Sequence, residues 1–177
     1  MLDMLALELA SALLNGGYAI GLALRKRWAW PLGFLGTLLG ILVFLDAKLY
    51  AESALNLGYA GLAVAGWFAW QNRPNPTGHT QRLRDAAGGL VLAFSVGVLM
   101  ARFTDNPRPF ADAVLFSGGI LGTLWQVRGD RWNWPLWIAV NAASTWLYVD
   151  RGLNAYAVYS VLMTLVAIWG WRRWGRT

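Results

Sequence analysis

Arg27-Trp-Ala-Trp-Pro-Leu32 returns as Arg131-Trp-Asn-Trp-Pro-Leu136, 104 residues further along the chain. Holding that offset without a gap aligns Asp46 with Asp150, Leu49 with Leu153, Gly66-Trp67 with Gly170-Trp171, and Trp70 with Trp174. Four of the identities are Trp–Trp, which chance does not supply in so short a window. An internal repeat of this length sets the architecture before any motif is considered.

Each copy sits among apolar runs. Of 177 residues, 57% are hydrophobic and 14% charged, against about 45–50% and about 25% in soluble domains. The composition places the chain in a bilayer. With no cysteine and one histidine, disulfides, zinc–thiolate sites, iron–sulfur clusters and thiol catalysis are excluded. The net charge of +6 is not a nucleic-acid footprint, because the cations lie in short clusters between apolar stretches rather than on one solvated face.

A spanning helix needs roughly 20 mostly apolar residues. Seven stretches qualify: about 4–24, 29–45, 49–70, 86–103, 109–126, 133–149 and 152–172. Pro74, Pro76 and Gly78 mark the third break as a loop, placed over Arg73–Asp85. The first stretch has a triple-basic cluster after it and no basic residue before it, the reverse of a secretory signal, so it is expected to stay as a helix.

Lys and Arg of short loops collect on the cytoplasmic side. With seven spans, the first, third and fifth breaks and the C-terminal segment share a side and hold 11 of the 15 cationic residues; the other side holds 4. That puts the N-terminus outside and the C-terminus in the cytoplasm. Trp28, Trp30, Trp67, Trp70, Trp132, Trp134, Trp171 and Trp174 fall at the cytoplasmic ends, as an aromatic belt would.

The repeat covers spans two and three, then six and seven, with spans one and five in corresponding places. The expected fold is therefore all-α and integral to the membrane, seven transmembrane helices arranged three, one, three. Residues 1–72 form the first three-helix repeat, 73–104 the loop and linker helix, and 105–177 the second repeat. One crossing helix after an odd bundle gives both bundles the same orientation, related by an axis along the membrane normal, with a cavity between them suited to alternating access.

Polar groups at mid-membrane are costly unless they face protein or water, so they mark function by default. In the sixth span Trp137, Asn141, Ser144 and Tyr148 follow helical spacing on one face. Asn141 is either an interhelical hydrogen-bonding residue or, with an indole one turn away, a ligand contact. The offset maps Asn141 onto Thr37, Trp137 onto Gly33, Ser144 onto Gly40, and Asn56 onto Ser160. Mid-span polar positions thus pair by symmetry as Thr37/Asn141 and Asn56/Ser160. The glycine opposite Trp137 suggests that one half stacks an aromatic ring and the other leaves room for it. Glu52, Asn56 and Tyr59 share a face of the third span; in the seventh, Tyr156 and Tyr159 either hydrogen-bond a sugar or pack. Glu52 is a gate or a snorkelling residue. Trp125 and Gln126 read as anchor and interface, His79 as a solvated loop residue, and Asp3 with Glu8 as orientation signals.

Catalytic constellations do not emerge. No mid-span carboxylate pair, phosphate-binding glycine loop or nucleophile–base pairing with His79 is present in the sequence, so no enzyme activity and no cofactor are expected. Central Asp or Glu for proton coupling is likewise missing from the spans, which favours facilitated diffusion.

Leu49-Tyr-Ala-Glu-Ser-Ala-Leu-Asn56-Leu-Gly-Tyr59, Gly66-Trp67 with Trp70, Trp137-x-x-x-Asn141, and Tyr156-x-x-Tyr159 leading to Gly170-Trp171 and Trp174 resemble the PnuC family of bacterial vitamin and vitamin-precursor transporters, relatives in fold of the SWEET sugar transporters. The resemblance covers most of the chain. It implies a multi-pass protein of the bacterial inner membrane, assembled as a homotrimer in the lipid bilayer. It further implies uptake of nicotinamide riboside by facilitated diffusion, with the solute retained by phosphorylation inside. The family's Trp-x-x-x-Asn substrate contact carries over onto Trp137 and Asn141; a longer amide, Gln, is usual where Asn56 stands. Related branches carry thiamine, riboflavin or deoxynucleosides. A cationic pyridinium suits an indole face, worth about 0.5–2 kcal/mol, and no mid-span Arg or Lys is available to hold a phosphate. Thiamine, also an aromatic cation, is the alternative substrate; a membrane enzyme or scaffold is the alternative from another class.

Overall fold

The computed structural model describes residues 4–46, 50–72, 74–152 and 154–176, without the side chains of residues 50–52. Asp3, Lys48, Leu49, Arg73, Leu153 and the side chain of Glu52 therefore lie outside the described residues. Seven helices follow in order: α1 (Met4–Ala23), α2 (Ala29–Asp46), α3 (Tyr50–Ala69), α4 (His79–Phe103), α5 (Pro109–Val127), α6 (Asn133–Asp150) and α7 (Asn154–Trp174). Five of them, α1, α2, α4, α5 and α7, are long and apolar enough by composition alone to cross a membrane. The two that fall short carry polar side chains at mid-length, Asn56 and Tyr59 on α3 and Asn141, Ser144 and Thr145 on α6. They are less apolar because part of each faces other helices rather than lipid.

Helix contacts close a ring: α1 packs on α2, α2 on α3, α3 on α5, α5 on α6, α6 on α7, and α7 on α1, while α4 lies outside against α5. Exchanging α1, α2, α3 for α5, α6, α7 leaves this pattern unchanged, as a pseudo-twofold relation requires. Direction follows from which ends meet. The Trp70 indole N–H at the end of α3 donates to the carbonyls of Gln126 (3.0 Å) and Val127 (3.2 Å) at the end of α5. The Trp174 indole N–H at the end of α7 donates to those of Leu22 and Ala23 at the end of α1, both at 3.2 Å. At the opposite end Tyr156, early in α7, donates to Glu8, early in α1 (3.1 Å). Helices α1, α3, α5 and α7 therefore run parallel, and the two triplets stand the same way up.

The corners repeat as faithfully as the helices. Arg25 N–H donates to the Leu22 carbonyl (2.8 Å) and Lys26 N–H to that of Gly21 (2.9 Å); Gly129 N–H donates to Gln126 (2.9 Å) and Asp130 N–H to Trp125 (2.8 Å). Both are Schellman closures, which need a left-handed residue at the first position past the helix. Gly129 supplies φ +64° at no steric cost, and its counterpart Arg25 holds φ +54°. The Arg25 guanidinium lies 4.2 Å over the Trp174 ring. Burial lowers the Arg25 pKa from its ordinary value, and arginine remains charged regardless.

The linker departs from expectation. Residues 79–85 are not loop but the first turns of α4, and His79 is its first residue. Polar side chains hid these turns in the sequence; they hold because Asp85 accepts the Trp125 indole N–H (3.0 Å) and pairs with Arg128. Further along, Ser117 of α5 donates to the Gly89 carbonyl (2.6 Å), and the Gly88-Gly89 pair lies within an unbroken helix.

Candidate functional site

Burial concentrates at one end. Leu22, Ala23, Ala29, Trp30, Ala63, Val127, Trp134, Ala167 and Trp174 form the buried apolar cluster, and the end they occupy is here termed the tryptophan end. Four indoles cross it in series: Trp30 to Trp70 at 5.7 Å, Trp70 to Trp174 at 6.1 Å, and Trp174 to Trp134 at 5.4 Å between ring centroids. Trp30 and Trp134 fit against Gly66 and Gly170, repeat mates that leave room for them. Arg27 and Arg131 cover the outer faces of Trp67 and Trp171 at 3.5 and 3.7 Å. Aromatic pairs of this geometry contribute about 0.5–1.5 kcal/mol each beyond area burial.

One turn above this layer lie two aromatic rings. Trp137 of α6 sits on α5, where a Cβ at Gly122 would meet its Nε1 at 2.9 Å. Tyr18 of α1 sits on α2, where a Cβ at Gly33 would meet the ring at 2.7 Å. Position 18 is the repeat mate of 122, and 33 of 137, so glycine and ring have exchanged helices between the halves. The space expected to stand free at Gly33 is filled by Tyr18. The Tyr18 hydroxyl then reaches across the ring of helices to Gln126 Oε1 (3.0 Å).

Higher again, the polar residues gather. Asn141 is half-buried on the inner face of α6; the exposed face runs through Ala139, Ala142, Ala143, Trp146 and Val149. Its carbonyl accepts the Thr145 hydroxyl (2.9 Å), and no hydrogen bond of its amide to another described residue is present. The Trp137 Nε1 is buried and also without a partner among the described residues. The Tyr59 hydroxyl is pressed on Gly119 of α5, bridging the two bundles. Thr37 is buried and turns its hydroxyl back to the Phe34 carbonyl (2.9 Å). Asn56 packs on Gly40, where a Cβ would lie 2.8 Å from its Oδ1. Ser144 and Ser160, the repeat mates of Gly40 and Asn56, are both buried.

The two remaining tyrosines are separated by depth. Tyr159 is half-buried on α7. Tyr156 is 38% exposed at the end opposite the tryptophans, bonded to Glu8 and 5.6 Å from the Tyr148 ring. Around it Arg108 forms a two-pronged pair with Asp150 (2.8 and 2.9 Å), and Arg151 bonds Asp112 (2.7 Å). Tyr156 thus stands at a charged rim, beside Tyr148 at the outer end of the face that carries Trp137 and Asn141.

Sequence reasoning passed over Asn15 and Tyr18 and set Gln126 aside. Asn15 lies at the same depth as Asn141, against Gly36, with its amide 3.5 Å from the Ser11 hydroxyl. A signal for Tyr18 was present: at the repeat offset, Tyr18/Gly122 and Gly33/Trp137 are complementary substitutions.

An indole edge and an amide one turn apart on α6, neither hydrogen-bonded to another described residue, are suited to hold a flat polar solute rather than to break a bond. The chain and its fold have known counterparts. The sequence model described as nicotinamide mononucleotide transporter matches residues 5–176. The nicotinamide riboside transporter PnuC of Escherichia coli (strain K12) is 21% identical over 193 aligned positions, covering 90% of this chain and 81% of that protein. The riboflavin/roseoflavin transporter RibM of Streptomyces davaonensis is 25% identical over 163, covering 85% and 75%. The crystal structure of the vitamin B3 transporter PnuC superposes with a TM-score of 0.79 at 18% identity, over 96% of this chain and 80% of that one.

Proposed function

This chain belongs to the nicotinamide mononucleotide transporter family and is a multi-pass membrane transporter; from that premise we propose that its solute is nicotinamide riboside, moved by facilitated diffusion. The observation that carries the reading is the pairing of Trp137 and Asn141 on the inner face of α6, an indole and an amide one helical turn apart, neither hydrogen-bonded to another described residue. An indole attracts a pyridinium cation, and the amide can serve a carboxamide. Tyr59, Thr37, Asn56, Ser144, Tyr159 and Ser160 supply hydroxyls and amides for a ribose, with Tyr156 at the rim on the entry path. Among the described residues no Arg or Lys lies at mid-span; a phosphate would call for one, so a nucleoside is favoured over a nucleotide.

Riboflavin is the second reading, because RibM matches this chain at 25% identity. Thiamine shares the cationic ring and competes on the same chemistry. In this account the protein sits in the bacterial inner membrane as a homotrimer, residues 1–72 and 105–177 form the rocking units, and 73–104 links them. The tryptophan end faces the cytoplasm, in keeping with 11 of 15 cations on that side. Calorimetry of the purified protein against nicotinamide riboside, thiamine and riboflavin tests the assignment. Tightest binding of nicotinamide riboside is expected; tightest binding of riboflavin would replace it.

A further inference from the structure

Resting on the transporter reading above, we propose that the Tyr18–Gln126 hydrogen bond is the floor of the solute chamber, the contact that must break before solute leaves through the tryptophan end. Helices α1 and α5 stand on opposite sides of the six-helix ring, which closes through α1·α2, α2·α3, α3·α5, α5·α6, α6·α7 and α7·α1. A side-chain bond from one to the other therefore crosses the lumen. Its depth is fixed by its neighbours. Gln126 lies one turn beyond Gly122 on α5, and Gly122 is the seat of Trp137; a solute stacked on Trp137 rests directly above the pair.

The two partners belong to different bundles and are braced within them. Tyr18 is held by Gly33 on one side and by the Trp30 ring, 5.4 Å away, on another. Gln126 is 3% exposed, and its carbonyl accepts the Trp70 indole. Rocking one bundle against the other must then stretch this bond, since neither side chain is free to follow the other. Behind it, the indole layer has its own reason to yield. Trp70 and Trp174 each satisfy their N–H groups on the opposite bundle, but the fully buried Trp30 and Trp134 have Nε1 atoms with no partner among the described residues. A closed layer that leaves two buried donors unsatisfied is less stable than its packing suggests.

The chain contains no cysteine, so a single Ser144→Cys reports from within the chamber. A membrane-impermeant maleimide is presented to the tryptophan end of reconstituted protein, with and without Tyr18→Phe, which keeps the ring on Gly33 and deletes the bond. Labelling from that end is expected to accelerate at least threefold in Tyr18→Phe, with labelling from the opposite end unchanged. Gln126→Ala, which keeps the carbonyl that Trp70 uses, is expected to do the same. Equal labelling with and without the bond would overturn the floor. In transport, both variants are expected to alter the turnover rate at least threefold while equilibrium affinity for nicotinamide riboside stays within twofold; affinity falling in step with rate would make them solute contacts instead. Labelling needs no solute, so accelerated labelling in a protein that binds no vitamin would sustain the floor and remove the substrate assignment.

Discussion

Trp70 and Trp174, 104 residues apart in sequence, meet ring to ring at 6.1 Å, each with its indole N–H bonded to carbonyls of the other bundle. Their acceptors, Gln126-Val127 and Leu22-Ala23, are also repeat mates. The pseudo-twofold axis passes between the two rings. Replacing either indole by phenylalanine keeps an aromatic ring and removes a shared hydrogen bond, a loss of about 0.5–1.5 kcal/mol. Trp70→Phe and Trp174→Phe are expected to lower the melting temperature in detergent by matching amounts. A large effect from one and none from the other would show that only one bracket holds.

Asn141→Ala is expected to weaken nicotinamide riboside binding at least fivefold with an unchanged melting temperature, because its amide has no hydrogen bond to another described residue to lose. Trp137→Leu removes the π face that attracts a cation, worth about 0.5–2 kcal/mol. It is expected to weaken binding of cationic solutes more than that of a neutral competitor. Calorimetry reads both, and unchanged affinity in either variant would remove that residue from the site.

Two glycines give opposite signs for one substitution. A Cβ at Gly16 meets nothing within 4 Å, whereas at Gly170 it would fall 2.6 Å from the Trp134 ring, which is 2% exposed and cannot retreat. Gly16→Ala should raise stability by about 0.5–1 kcal/mol through helix propensity. Gly170→Ala should lower it by about 1–3 kcal/mol through overpacking. Thermal unfolding of the two variants side by side checks the pair.

Asp85 joins α4 to the second bundle by accepting from Trp125 and Arg128, with Gln81 of its own helix as a third donor. Asp85→Ala strands a buried indole donor and a guanidinium, at about 1–3 kcal/mol for a buried donor left unpaired. Amide hydrogen exchange is expected to rise in residues 79–89 and to stay unchanged in α1 to α3. A rise across the whole chain would mean that α4 supports the entire fold.

Much of the architecture was legible because the repeat and the apolar runs are properties of the chain itself. Arg27-Trp-Ala-Trp-Pro-Leu32 and its copy predicted parallel triplets, and the shared C-terminal ends of α1, α3, α5 and α7 show them. The inner face of α6 was equally legible, since Trp137, Asn141, Ser144 and Tyr148 follow helical spacing. Tyr18–Gln126 was not, because a contact across the ring depends on how two bundles dock, and no spacing within either helix encodes that. The first turns of α4 escaped for a different reason. Gln81, Arg82 and Asp85 look like loop residues until Trp125, Arg128 and Asp130 are brought against them.

Tracer uptake of nicotinamide riboside into proteoliposomes tests the central claim most directly. Internal and external concentrations are expected to equalise, at a rate that imposed proton and sodium gradients do not change, and Asn141→Ala is expected to slow uptake at tracer concentration. Accumulation above the external concentration under a gradient would contradict facilitated diffusion, and uptake of riboflavin without uptake of nicotinamide riboside would contradict the substrate.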